Sequence, residues 1–138
     1  MSLDLNNYNN IDNKVTLEVI CKDMASGNWN KYWAPDALLI RPSGNPLTLE
    51  DNEKMRNNKD IIIKKEELVK INYINVYDNI ANVCMTVHQV FNYKEVENDD
   101  ISVVLLTLKR EGNNKWMMIS GSRSSGRSVN DPLPEFPN

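Results

Sequence analysis

One histidine, His88, stands in a chain of 138 residues, so proton transfer at neutral pH by an unperturbed side chain falls to it. An imidazole with its ordinary pKa of about 6.5 suits a general base. A lone histidine in a half-apolar strand is more often a hydrogen-bonded core or interface residue, and His88 lies in a strand pattern where it shares parity with Cys84, Thr86 and Val90. No Asp or Glu occurs in that strand to orient it, so a catalytic dyad would draw its acid from another segment. Cys21 and Cys84 form no CxxC pair, and a closed zinc site needs four Cys or His ligands. Both thiols therefore read as small core residues, and neither a metal nor a cofactor is expected.

Two serine-rich possibilities fail on context. The string Gly121-Ser122-Arg123-Ser124-Ser125-Gly126-Arg127-Ser128 is similar to a phosphate-binding loop with arginine in place of lysine. Such a loop works because a helix follows at once and aims its amides at the phosphates, and Val129-Asn130-Asp131-Pro132 cannot start that helix. There is no Gly-x-Ser-x-Gly elbow to expose a nucleophile.

Composition narrows the class. With 41% hydrophobic and 25% charged residues the chain reads as one globular α+β domain, long enough to bury roughly two thirds of its unfolded surface. Sixteen basic residues against nineteen acidic ones give a net charge of -3, without the surplus that a phosphate backbone demands, so nucleic acid is not an expected partner. The longest apolar runs, 37–40 and 103–106, are far short of the roughly 20 residues of a membrane span. The polar, asparagine-rich start lacks the basic and apolar stretches of a signal peptide, which reads as a cytoplasmic protein.

The elements that must position these residues follow from periodicity. Leu17, Ile20, Cys21 and Met24 share one helical face, predicting a helix over 13–26 that Asp12 or Asn13 caps and Gly27 stops. A short helix over 28–33 places Trp29, Tyr32 and Trp33 on one aromatic face before Pro35. A strand over 37–41 then leaves sharply through Pro42-Ser43-Gly44-Asn45-Pro46, and Thr48 with Asp51 three positions on opens a third helix whose inward residues are Leu49 and Met55. Strands are expected over 68–77 and 80–93 around the tight link Asp78-Asn79, over 101–110 after a polar turn at 94–100, and over 115–123. Residues 1–12 read as a polar tail, 13–126 as the domain, and 127–138, with Pro132, Pro134 and Pro137, as an extended tail.

That order of elements, with Tyr32-Trp33-Ala34-Pro35-Asp36-Ala37 followed by Arg41-Pro42-Ser43-Gly44-Asn45-Pro46, resembles the nuclear transport factor 2-like superfamily, which includes SnoaL-like cyclases and ketosteroid isomerases. The resemblance implies a cone, in which N-terminal helices pack in the concave face of a strongly curved antiparallel sheet and leave a pocket, the cystatin-like roll. The stretch from Lys115-Trp116 to Arg123-Ser124 is also similar to the end of the association domain of calcium/calmodulin-dependent kinase, with Ser120 and Ser122 in place of its histidines. In the isomerases the residue before the proline after the first strand is the aspartate base; here it is Arg41, which stays protonated, and Ile20 stands nearest to the expected tyrosine oxyanion donor. Ketosteroid isomerisation is therefore not expected. The resemblance makes Arg41 and Arg123 candidate pocket cations for a small carboxylate or phosphate, and Trp29, Tyr32 and Trp33 either core residues or walls of the pocket mouth. Three functions stay open: non-catalytic binding of a small anionic ligand, a dehydratase, isomerase or cyclase with His88 as base, or an assembly module with a vestigial pocket. A homodimer is expected, because Val103-Val104-Leu105-Leu106 is apolar on both faces and short helices can cover only one.

Overall fold

A computed structural model describes residues 5–112, 115–124, 126 and 128–136, with side chains from Asp12 onward. Helix α1, Leu5–Asp23, carries Leu17, Ile20, Cys21 and Met24 as one buried stripe that continues into the following turn. It starts before the expected Asn13. Asn13 is not a cap but a buried residue inside the helix, with its Oδ1 3.5 Å from the Arg110 guanidinium. Of the expected tails, residues 1–4, 127 and 137–138 lie outside the described residues.

After α1 the chain opens into a wide turn over Met24–Asn28 that needs Gly27, whose φ of 108° disfavours any side chain. A tight turn, Trp29–Tyr32, leads into strand β1, Trp33–Ile40, which begins earlier than the sequence suggested. Pro35 is tolerated there because the β1 register slips between Trp33 and Leu38, so its missing N–H interrupts no ladder. Strand β2 is Pro46–Leu47, and helix α2 is Leu49–Asn57, capped as expected by the Thr48 hydroxyl, which accepts from the Asp51 amide at 3.0 Å.

Four long strands follow: β3 Ile61–Tyr77, β4 Ile80–Tyr93, β5 Val96–Arg110 and β6 Trp116–Arg123. The polar turn expected over 94–100 shrinks to Lys94-Glu95, both at positive φ, and Glu97 to Asp100 pair with β4 instead. A tight link lets the two strands keep their ladder to the end, which outweighs the low strand propensity of these polar residues. The sheet order is β2-β1-β6-β5-β4-β3, antiparallel throughout except for the parallel pair β1 and β6, so the expected antiparallel sheet is a mixed one. Three register slips along β3 and one between β5 and β6 bend it. The helices fill the concave side against Val83, Met85, Leu106, Leu108 and Trp116, giving the α+β architecture that the resemblance implies. On the convex side the C-terminal segment returns far enough for the Phe136 ring to meet Tyr73 edge-on, 6.4 Å between centroids.

Candidate functional site

The core does not fill the cone. Toward the ends of β3, β4 and β5 a cavity of about 680 Å³ remains between the concave face, α2 and the turn after β1. Its lining combines apolar side chains, Trp33, Leu39, Phe91, Leu106 and Met118 among them, with polar and charged ones.

Three arginines reach it from three elements. Arg41 follows β1 at the base of the sharp turn, fixed by its amide to the Asn45 carbonyl at 2.9 Å and by its carbonyl to the Gly44 amide at 2.8 Å. Arg56 comes from the last turn of α2. Arg123 ends β6, where Ser124 holds the strand to β5 through its amide and hydroxyl, each 2.9 Å from the Val103 backbone. The Arg123 guanidinium lies 5.5 Å from the centroid of the Phe91 ring, and burial pulls its pKa below the usual value, against the opposing pull of Asp100 and Glu66. Among the described residues the Nε atoms of all three arginines are buried without a hydrogen-bond partner, and none of the three guanidinium groups is within ion-pair distance of a carboxylate.

The acidic side of the cavity is Glu66 and Asp100, two carboxylates against three arginines among its described residues. Glu66 is held by neutral donors: Trp29 Nε1 donates to its Oε2 and Gln89 Nε2 to its Oε1, both at 2.9 Å. Burial raises the Glu66 pKa above the ordinary value of 4.5, while these two donors, Arg56 and Arg123 pull it back. Gln89 is only 6% exposed, and its buried carbonyl oxygen Oε1 has no partner among the described residues. Asn52, also buried, donates to Asn30 Oδ1 at 2.6 Å and fixes α2 to the turn that carries Trp29.

The sequence candidates divide. Arg41, Arg123, Trp29 and Trp33 line the cavity. Tyr32 does not; its hydroxyl donates to Asp23 Oδ2, and with Lys31 at 3.0 Å and Asn28 at 2.7 Å it holds that carboxyl down at about 2. Ile20 is a core residue. The expectation that His88 serves the pocket as its base is corrected: Val87, Gln89 and Phe91 face inward, so His88 points to the convex side. There Nδ1 lies 3.0 Å from Glu67 Oε1 and Nε2 2.6 Å from Asp99 Oδ1, and the two carboxylates raise the His88 pKa. The acid partners do come from other strands, but they lock an imidazolium on the far side of the sheet. Arg56, Glu66, Gln89 and Asp100 were not singled out from sequence. The doublets Glu66-Glu67 and Asp99-Asp100 were the available signal, since one member of each must face inward.

Comparison with known proteins agrees with this architecture. A family model described as a protein of unknown function, DUF3804, matches residues 13–131. No curated protein matches the sequence. Among solved structures, a nuclear transport factor 2-like protein of unknown function from Prochlorococcus sp. NATL2A is 30% identical, with a TM-score of 0.72 over 83% of this chain and 94% of that one. A candidate calcium/calmodulin-dependent kinase II association domain from Exiguobacterium sibiricum is 12% identical, with a TM-score of 0.65 over 80% and 91%. A ketosteroid isomerase-like protein from Erwinia carotovora atroseptica is 10% identical, with a TM-score of 0.55 over 82% and 90%. The last two share the fold alone.

Proposed function

The chain belongs to the DUF3804 family of proteins of unknown function, built on the nuclear transport factor 2-like fold, and from its cavity we propose that it binds a small organic anion there through Arg41, Arg56 and Arg123. The observation that carries this reading is the set of three arginines, each with a buried Nε that has no partner among the described residues, around a cavity whose described lining holds two carboxylates. Converging cations without counter-charges are costly, because each gives up hydration and repels the others. An anion offsets both costs, with charge-assisted hydrogen bonds of about 1.5 to 3 kcal/mol each, and the ordering cost leaves a weak to moderate affinity. An enzymatic reading that rests on His88 has no support from its place on the convex face.

Thermal denaturation against a panel of carboxylates and phosphates tests the proposal. At least one is expected to raise the melting temperature of the wild type and to lose most of that effect in Arg41→Met, Arg56→Met and Arg123→Met. The reading fails if no anion stabilises the protein, or if the variants respond as the wild type does.

A homodimer is proposed on a separate observation. Leu38, Ile40 and Leu105 are 44%, 40% and 42% exposed, and the registers of β1, β6 and β5 bring them together on the convex face around Ser122. A second copy is the simplest cover for such a patch. Sedimentation should give a dimer at micromolar concentration and a monomer for Leu105→Lys; a monomeric wild type would refute it. No described helix is long and apolar enough to cross a membrane.

A further inference from the structure

Beyond charge, the cavity has an acceptor side. We propose that Glu66 and Gln89 select, among small carboxylic acids, those that also carry a hydroxyl on an apolar body, so that the ligand is a hydroxy acid rather than a simple anion. The inference rests on the anion reading above and adds to it what the rest of the ligand must be.

Its basis is the direction of the hydrogen bonds. A carboxylate only accepts, so the Gln89 amide must turn its NH₂ toward Glu66 Oε1, as the 2.9 Å contact shows, and its carbonyl oxygen is left facing away. That oxygen is buried in a side chain 6% exposed that lines the cavity, and it has no partner among the described residues. Glu66 has one donor on each oxygen, Trp29 and Gln89, and keeps further lone pairs in the cavity wall. The described residues thus supply unmatched donors from the arginines and unmatched acceptors from Glu66 and Gln89 around the same cavity. A ligand that answers both must present a negative group to the arginines and a hydrogen-bond donor to Glu66 or Gln89. Meeting the buried Gln89 oxygen requires that side chain to rotate toward the cavity.

The donor could be a hydroxyl or an ammonium, and the charges decide between them. Three arginines against Glu66 and Asp100 leave an excess positive charge that a hydroxy acid neutralises and a zwitterionic amino acid does not. Arg56 and Arg123, whose charges act on Glu66, would also repel an ammonium placed beside it. The volume of about 680 Å³ is of the size that takes ligands larger than two or three carbons, and its aromatic and aliphatic wall suits an apolar body.

Phenylacetate, mandelate and phenylglycine share one scaffold and differ at one substituent, hydrogen, hydroxyl or ammonium. Titration calorimetry should show wild-type protein binding mandelate about tenfold or more tightly than phenylacetate, because a site built to pair a hydroxyl discriminates against the analogue without it. Phenylglycine should bind more weakly than mandelate. In Gln89→Met the preference should fall to about twofold or less while phenylacetate still binds, since the arginines are untouched. Glu66→Gln, which keeps the volume and an acceptor for Trp29, gives a second reading should Gln89→Met fold poorly, and the same narrowing is expected. Equal binding of mandelate and phenylacetate to the wild type, tighter binding of phenylglycine, or a preference that survives both variants overturns the inference while leaving the anion reading intact. Binding of none of the three acids overturns this inference, the panel of carboxylates and phosphates deciding the anion reading separately, and binding that Arg123→Met does not weaken overturns both.

Discussion

Two clusters of nearly the same composition stand back to back on one strip of the sheet. On the concave face Glu66, Gln89 and Asp100 meet across β3, β4 and β5; on the convex face their sequence neighbours Glu67, His88 and Asp99 do the same. The convex cluster is closed. Each imidazole nitrogen has its own carboxylate, the acids are half exposed, and nothing is left over. The concave cluster is open: among the described residues its carboxylate is hydrogen-bonded by neutral donors, the nearby arginines form no ion pair, and an amide oxygen is stranded. Charge in itself therefore marks no site. Charge that is buried and not answered from within the chain does.

The largest way to break the comparison is to remove what both clusters hang on. Leu106 is 1% exposed on β5, and Leu106→Ala should cost about 2 to 5 kcal/mol in denaturant unfolding, weakening both faces together. Next, Gly27→Ala places a side chain at φ 108°, with its Cβ 3.6 Å from Glu66 Oε2, and should cost about 1 to 2 kcal/mol by the same measurement.

Arg123→Met sharpens the contrast in the opposite direction. Removing an unpaired, largely buried cation should raise the melting temperature without ligand by about 2 °C while abolishing the response to anions, a gain in stability at the expense of binding. No such gain is expected from removing a member of the closed convex cluster.

The two clusters should also differ in the sign of their pH dependence. Glu66 has a folded pKa above 4.5, so between those values the folded state holds the extra proton and stability falls as pH rises through the window. Glu66→Gln should therefore melt above the wild type at pH 7, and the gap should close on acidification toward the ordinary carboxylate range. His88 also has a raised folded pKa, but as a cation. Its contribution is complete below 6.5 and is lost as pH rises through the raised value, so the wild type should lose more melting temperature than His88→Gln over that range. A His88→Gln melting profile identical to the wild type from mildly acidic to mildly alkaline pH would contradict the assignment of a protonated His88.

Much of the scaffold was legible in the sequence because it depends on local signals. The stripe of Leu17, Ile20, Cys21 and Met24, the Thr48 cap and the Asp78-Asn79 link each state their structure within a few residues. Arg41 and Arg123 came forward through likeness to a family, and the cavity does bring them together. Glu66 and Gln89 were not legible for a physical reason. Strand parity is readable only within an unbroken strand, and two register slips separate Tyr73 from Leu68, so the face of Glu66 cannot be counted from the hairpin. Its burial also depends on Trp29, 37 residues away. His88 was misjudged on the complementary point: parity grouped it correctly with Cys84 and Thr86, but only the packing of α1 on the other face says which group meets the cavity.

The central claim, that the three arginines act together on one anion, is most directly tested on the arginine side chains themselves. In protein labelled with ¹⁵N-arginine, the Nε–H resonances of Arg41, Arg56 and Arg123, assigned by single Arg→Met variants, would be followed during titration with mandelate or phenylacetate. The account predicts that all three shift along one saturable curve with a common dissociation constant while Arg110, on the far end of β5, stays still. Shifts that never saturate, that move Arg110 equally, or that leave the three cavity arginines unchanged would contradict it.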